Sequence, residues 1–566
     1  MARTSLEISG ARQNWVIRGV LVLATVYALS PFWVSLRPPM QDLPQHLAAG
    51  RVLLEGANPQ LGFDVYFTTE WLRSQYLGIY VLLGAFFYPA RWLTEDPLLW
   101  ATRLSIVVLA VTWVLGTEAT YRRVTGRGGL GLWSLVLFFN VHLILGFLNF
   151  LLGVSFAFIT LALFASLRSS TPSWDAKNWR LWAFAASALA CFYFHVVPFG
   201  VACAVIAGAA VVDQLVRWWC ARKGAGTTAP HASWTSYLAL APAIFATLFW
   251  LLTPAGLSTR EAASGGGSRG NAHFLSFDAN HQALPSWTLD AFRSEWDMHW
   301  LTIALVGLAV HGTVQWCLTL PWLRGVFRRD DAASTETEDA PPFERDVVLL
   351  SLLRLAALGC VVAYYVLPSS YDWIWPINAR FPLLALLLLP FWLPTAVRAP
   401  NKPLRWVYEI THWATLAALV VSAVGVTSTA RTAFDGFARE LDGFDEILSE
   451  IPEGQRVVTL VFERGSRHIG FSPFLHIGAY VQAERGGVAF FSFNDFPQSP
   501  VRFNEDNRPP RVGPRWEWKP ERVRPDRDLG WFDYLLVRGG PAKLGDTQNF
   551  ELVSTHRRFR LFKRTR

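Results

Sequence analysis

Apolar runs of about twenty residues recur along the chain, separated by short polar turns. Their spacing predicts membrane-spanning helices near 16–36, 98–120, 130–146, 147–168, 179–196, 197–217, 233–254, 299–320, 347–367, 379–396 and 406–428. Beyond residue 430 the pattern changes. Phe434, Phe437, Leu441, Phe444, Ile447 and Leu448 fall on helical spacing, which predicts an amphipathic helix. RVVTLVF (456–462) and FDYLLVRGG (532–540) have the character of buried strands, and FELVSTHRRFRLFKR (550–564) that of a hairpin. The expected architecture is a polytopic α-helical membrane domain over 1–429, followed by a soluble α/β or α+β domain over 430–566. The Arg/Pro-rich stretch Arg502 to Arg527 is expected to be a long loop.

Lysine and arginine near the ends of spans set orientation. Arg3 and Arg12, the YRRVTGR loop, Arg168 with Lys177 and Arg180, Arg217 with Arg222 and Lys223, Arg324 with Arg328 and Arg329, and Arg398 with Lys402 and Arg405 can all lie inside. They do so only with eleven spans, the N-terminus inside and the C-terminus outside. The apolar run Gln75 to Leu93 would break this agreement as a span, so it is expected to lie on the outer face. Two large outer loops result, 37–97 and 255–298. The first span has arginines before it and no small-residue cleavage site after it, and is expected to be a retained signal anchor.

Composition strengthens this picture. Of 566 residues 52% are hydrophobic and only 17% charged, too few for soluble domains of this total length. Many of the 27 tryptophans flank apolar runs, where an amphipathic ring prefers the interface. The net charge of +8 sits largely in short loops between spans, which argues against a nucleic-acid partner. The five cysteines lie in or beside apolar runs with no CxxC spacing, and the C-terminal region has none, so that domain does not rely on disulfides. It also lacks a P-loop, a nucleophile elbow and a dinucleotide motif, and is expected to be a structural cap. SGGGSRGN (264–271) is expected to be flexible and DDAASTETEDAPP (330–342) a disordered linker. His273, His281 and His299 are too irregularly spaced to suggest a metal site.

Candidate chemistry lies in polar groups near the outer ends of spans, where burial is costly without a role or partner. These are Asp42 and His46, Arg103, Asn140 and His142, Asn149, His195, and Asp372 with Arg380. Each has a plainer explanation. Asp42 can cap its helix, with Gln45 completing a capping box and Pro44 in the first turn. His46 can orient Asp42, bind substrate or sit neutral. Arg103 and Arg380 can reach lipid headgroups or grip a phosphate through paired donors. Asn149 and His195 can hydrogen-bond between helices. Arg354, inside a span, is assigned no function.

Four stretches carry a resemblance to a known family: QDLPQHLA (41–48), ATRLSIVVLA (101–110), GFLNFLLG (146–153) and NARFPLL (378–384). With one span before a long outer loop, many further spans and an outer C-terminal domain, the chain resembles the GT-C glycosyltransferases. The first stretch is similar to the Asp-x-Pro-x-His loop of divergent bacterial members. The resemblance implies a bacterial inner-membrane enzyme that takes a sugar from a polyprenyl-phosphate donor and passes it to a lipid, glycan or protein acceptor. It implies Asp42 as the catalytic base on an acceptor hydroxyl, with a cation such as Arg380 where negative charge grows. His46, Arg103, His195 and Asp372 become candidate substrate-binding residues, with Asp64, Glu70 and Asn149 in support. Better-known members carry Asp-Glu or Asp-x-Asp in this loop, whereas Leu43 and Pro44 follow Asp42, so a divalent metal is not implied. Two other classes fit the layout: a lipid or glycan transporter or flippase, although no internal repeat is evident, and a non-catalytic assembly protein built on the same scaffold.

Overall fold

The computed structural model describes residues 2–565 apart from 72–73, 169–176, 224–233, 258–271, 320–345, 373, 395–401, 511–514 and 542–546. The stretches expected to be flexible at 264–271 and a linker at 330–342 lie outside the described residues. The chain is an integral membrane protein. Seven described helices are long and apolar enough to cross a bilayer: Asn14–Trp33, Pro97–Thr125, Leu148–Arg168, Val196–Arg222, Trp296–Cys317, Val347–Val366 and Trp406–Glu440.

The other four expected spans take shorter or broken forms. Residues 130–146 do not form one helix but two short ones, Gly131–Val136 and Val141–Ile144. Asn140 makes the break: its side chain accepts from the N–H groups of His142 and Leu143 at 2.9 and 3.3 Å and donates to the Leu137 carbonyl at 2.8 Å. The segment runs antiparallel to the Pro97–Thr125 helix. Glu118 accepts from the N–H groups of Gly129 and Gly131, and Trp113 donates to the Ser134 carbonyl at 2.7 Å. Residues 131–146 are all buried, the condition under which irregular backbone is tolerated at membrane depth. Trp179–Phe194 stops at His195 after 16 residues. The 233–254 span is interrupted between Trp234–Leu238 and Ala241–Leu251. The last short one is a chain of turns, Asn378–Arg380, Phe381–Leu388 and Leu389–Trp392, with Pro382 and Pro390 near the starts of the later two. The Leu77–Ala90 helix has 14 residues, about 21 Å at 1.5 Å per residue and short of the ~30 Å hydrocarbon layer.

The membrane helix expected over 406–428 and the first part of the amphipathic helix expected over Phe434 to Leu448 are one element, Lys402–Glu440, whereas Phe444, Ile447 and Leu448 lie on a separate short helix, Phe444–Ser449, after Gly443 at φ +90°. At 39 residues the Lys402–Glu440 helix is about 58 Å long, well beyond the hydrocarbon thickness, so it carries the chain straight through residues 429 and 430 into the C-terminal domain. We call this end of the bundle the domain end.

The first loop contributes strand β1 (Phe67–Thr69), and the second contributes β2 (Ala272–His273), which pairs with β3 (Ser370–Tyr371). The C-terminal domain holds β4 (Arg456–Val461), β5 (Val488–Ala489), β6 (Val501–Phe503), β7 (Tyr534–Arg538), β8 (Phe550–His556) and β9 (Phe559–Arg564). Five of these form a mixed sheet, β5-β4-β7-β9-β8, parallel around β4 and antiparallel through the β8–β9 hairpin. The sixth, β6, pairs with β1, so the expected long loop begins with a strand that joins the domain to the first loop. The Gly487 N–H donates to the Leu61 carbonyl at 2.7 Å, and Phe292 of the second loop bridges to Ile469. Both loops and the domain therefore form one cap. At the opposite end Arg168, with a fully buried side chain, joins Asp213 and Asp346 from two other helices.

Candidate active site

Asp42 sits where the first loop meets both the bundle and the C-terminal domain. Its N–H donates to the Leu145 carbonyl at 3.0 Å, and the Gln41 N–H donates to the Ile144 carbonyl at 2.9 Å. Gly146, at φ +84°, leaves the room this approach requires: a Cβ there would lie 2.7 Å from the Leu43 nitrogen and 3.1 Å from that of Asp42. Asp42 stands at the N-cap position of the Leu43–Glu55 helix, but its side chain makes no capping bond. The expected capping box does not form, because both of its side chains are drawn to the domain interface. Gln45 donates to the Phe491 carbonyl at 2.9 Å and accepts from the Phe493 N–H at 3.3 Å. The Asp42 carboxylate takes a 3.3 Å bond from Gln41 and lies 3.2 Å from His476 Nε2.

His476 is the residue that sequence reasoning missed, together with Glu517. The imidazole stacks on Phe491 at 5.4 Å, and its Nδ1 lies 2.7 Å from a Glu517 oxygen. Burial alone would lower its pKa, but the carboxylates of Glu517 and Asp42 outweigh burial and raise it to about 10. His46, one turn beyond Asp42, is 3.3 Å from the Tyr80 hydroxyl and packs edge-on against Phe493. Burial holds its pKa below the ordinary value and so keeps it neutral, with Asp42 opposing that effect.

Arg380 closes a 3-10 turn just before the Phe381–Leu388 helix. Its guanidinium lies 5.8 Å from the Phe147 ring and 6.0 Å from the Phe150 ring. Its Nε has no hydrogen-bond partner, and no carboxylate pairs with it among the described residues. His142 reaches the neighbouring Ala379 carbonyl at 3.1 Å and packs on Phe150, as does His195. His195 accepts from the Val197 N–H at 3.1 Å, capping its helix, and packs against Tyr76. Residues 144–150 thus serve both groups: the carbonyls of Ile144 and Leu145 hold the Asp42 loop, and the rings of Phe147 and Phe150 lie beneath Arg380.

No protein-family signature and no curated protein matches the chain. Solved structures do. ArnT from Cupriavidus metallidurans bound to undecaprenyl phosphate aligns at 12% identity and a TM-score of 0.50, over 97% of this chain and 98% of that one. The fold is GT-C-like. The same protein in its apo state aligns at 13% identity and a TM-score of 0.46, over 98% of each chain. The archaeal oligosaccharyltransferase AglB from Archaeoglobus fulgidus, in complex with an inhibitory peptide and a dolichol-phosphate, aligns at 11% identity and 0.43, over 93% of this chain and 70% of that one.

The remaining candidates occupy other places in this GT-C-like fold. Arg103 lies beside the adjoining rings of Trp33 and Trp100, 5.1 Å from each. None of its described contacts is shared with Asp42 or Arg380. Asn149 accepts from the Ile79 N–H at 3.2 Å, tying two helices together. Asp372 is exposed in the turn after β3, with φ +49°. Asp64 and Glu70 are exposed on either side of β1. Among the described residues no group of three His, Cys, Asp or Glu side chains is placed to hold a metal ion.

Proposed function

We propose that the chain is a GT-C-type glycosyltransferase that moves a sugar from a polyprenyl-phosphate donor to an acceptor at the outer face of the membrane, with the N-terminus inside and the C-terminal domain outside. The observation that carries this reading is Arg380. A buried guanidinium without a carboxylate partner is costly, and an anionic ligand would supply the missing countercharge. The lipid phosphate of the donor is such a ligand, and ArnT was crystallised with undecaprenyl phosphate. Asp42, held by the same segment that underlies Arg380, would accept the proton of the acceptor hydroxyl. The acceptor oxygen then bonds to the sugar's anomeric carbon as the bond to the lipid phosphate breaks. Arg380 would balance the charge left on the phosphate. His46 and His195 would shape the walls of the site.

The test uses full-length protein in nanodiscs. Undecaprenyl phosphate binding should fall at least tenfold in Arg380→Ala and persist in Asp42→Asn, while sugar transfer should vanish in both. Full transfer by Asp42→Asn would overturn the role of Asp42. Lipid-linked substrate crossing liposomes with no glycan product would instead make the protein a flippase. A non-catalytic scaffold is favoured by one observation: His476 already engages Asp42, whose side chain is only 12% exposed. That reading requires an Asp42→Asn, Arg380→Ala double variant to keep its cellular function.

A further inference from the structure

The C-terminal domain does more than cover the bundle. His476 lies on the segment after β4, and Glu517 on the Arg515–Trp518 turn, both in that domain. Asp42 comes from the first loop. The three form a row across the interface, Asp42–His476–Glu517, with separations of 3.2 and 2.7 Å. The side chains of His476 and Glu517 are each 6% exposed. Two buried carboxylates flanking a neutral imidazole would leave two uncompensated negative charges in a nearly dry site. A protonated imidazole leaves one, so the arrangement favours the imidazolium. The row is fixed on both sides. Gln45 bonds to the backbone of Phe491 and Phe493, and Phe491 stacks on the His476 ring, so the imidazole cannot slide past Asp42.

We infer that His476, held between Glu517 and Asp42, is a positioning residue that aims the Asp42 carboxylate. The C-terminal domain thereby completes the site that the first loop begins. The inference rests on the proposed role of Asp42 as base. A base must lie within reach of the proton it takes, and a charged imidazole fixes the direction of the carboxylate it pairs with. His476 supplies that cation, and Glu517 keeps His476 charged. The titratable groups facing His476 are Asp42 and His46 on the Leu43–Glu55 helix and Glu517 on its own domain.

The experiment compares pH profiles of sugar transfer for the full-length wild type, His476→Gln and Glu517→Gln. Removing the imidazole should lower kcat and abolish the alkaline limb that its titration sets. Removing Glu517 should bring the alkaline limb to lower pH, because His476 then loses its proton earlier and no longer aims Asp42. Donor KM should change little. Lower rates with the alkaline limb unmoved would overturn the inference and leave His476 a packing residue. A second readout needs no activity: the His476 imidazole titration followed by NMR in wild type, Asp42→Asn and Glu517→Gln. Titration well above the ordinary histidine range, lowered by either substitution, supports the row. Titration near 6.5 in the wild type overturns it. A wild type that transfers no sugar but has a high-titrating His476 would defeat the proposed activity and not the charge state, which keeps the two failures apart.

Discussion

Arg37 Nη2 lies 2.6 Å from one Glu484 oxygen, and its Nε lies 3.0 Å from the other, so one guanidinium grips one carboxylate with two parallel bonds. Arg37 opens the first loop, and Glu484 lies on the Ala479–Arg485 helix of the C-terminal domain. The guanidinium also reaches Asp445 and lies over the rings of Phe444 and Tyr480, 5.5 and 5.4 Å away. The pair is thus the start of the seam that ends at Asp42 and His476. Arg37→Ala strips the half-buried Glu484 carboxylate of its partner, at a cost below the roughly 3–5 kcal/mol of a fully buried pair. The expected result is a C-terminal domain cut rapidly by protease while the bundle stays intact. Arg37→Lys should recover only part of the loss, because an ammonium cannot reproduce the fork.

Arg168 makes the corresponding prediction at the opposite end. Its side chain is fully buried between Asp213 and Asp346, joining the ends of three helices, and Tyr237 adds a 3.3 Å contact to Asp213. Arg168→Met should destabilise the detergent-solubilised protein by about 3–5 kcal/mol, since it leaves the buried Asp213 and the half-buried Asp346 without their cation. Denaturant unfolding followed by tryptophan fluorescence measures this. Undecaprenyl phosphate affinity in the protein that remains folded should be unchanged, because Arg380, the proposed phosphate-binding group, lies at the domain end.

Arg168 and Arg127 mark what could be read from the sequence. Arg168 served as a loop charge for orientation, and so did Arg127, yet both are buried. Arg127 bonds to Gln315 and to the Pro394 carbonyl. A charge at the end of an apolar run looks the same whether it meets headgroups or a buried carboxylate. Long helices were legible because length and apolarity are local properties. The break in 130–146 was not, because Asn140 acts through bonds to its own backbone inside an otherwise apolar stretch. The strands β4 and β7 and the β8–β9 hairpin lay within recognisable runs, whereas β5 and β6, with two and three residues, are too short to show alternation. Asp42 and Arg380 stood out as polar groups beside apolar runs. His476 did not, because its meaning depends on Asp42 and Glu517, which are distant in sequence.

The His476 row makes stability depend on pH. In the unfolded chain this histidine has the ordinary pKa of 6.5, and in the folded protein it is raised to about 10. The folded state therefore binds its proton more tightly. The stabilisation is fully present below pH 6.5 and is lost as pH rises through 10. The melting temperature of the wild type should fall across that window, and His476→Gln should flatten the fall. Differential scanning fluorimetry between pH 6 and 11 (roughly the range that brackets both pKa values) checks the sign. A wild-type curve that rises over this window would contradict the assignment of charge to His476.

Gly146 and Gly126 separate the cost of backbone conformation from the cost of crowding Asp42. Both have positive φ, +84° and +75°, so alanine at either position pays the left-handed penalty of roughly 1–2 kcal/mol. Their surroundings differ. Nothing lies within 4 Å of a Cβ built on Gly126, whereas one on Gly146 would stand 2.7 Å from the Leu43 nitrogen and 3.1 and 3.3 Å from the nitrogen and carbonyl carbon of Asp42. The atoms in the way are backbone, which cannot rotate aside as a side-chain tip would. Gly146→Ala must therefore push the Asp42 loop off the Leu145 carbonyl or be pushed away itself. Both variants should lose the left-handed penalty in stability, Gly146→Ala more because of the clash, and Gly146→Ala should also lose at least tenfold in kcat for sugar transfer while Gly126→Ala keeps its rate. Equal rates in the two variants would mean that the Asp42 loop yields without consequence, and that the position of this carboxylate is not what limits the reaction.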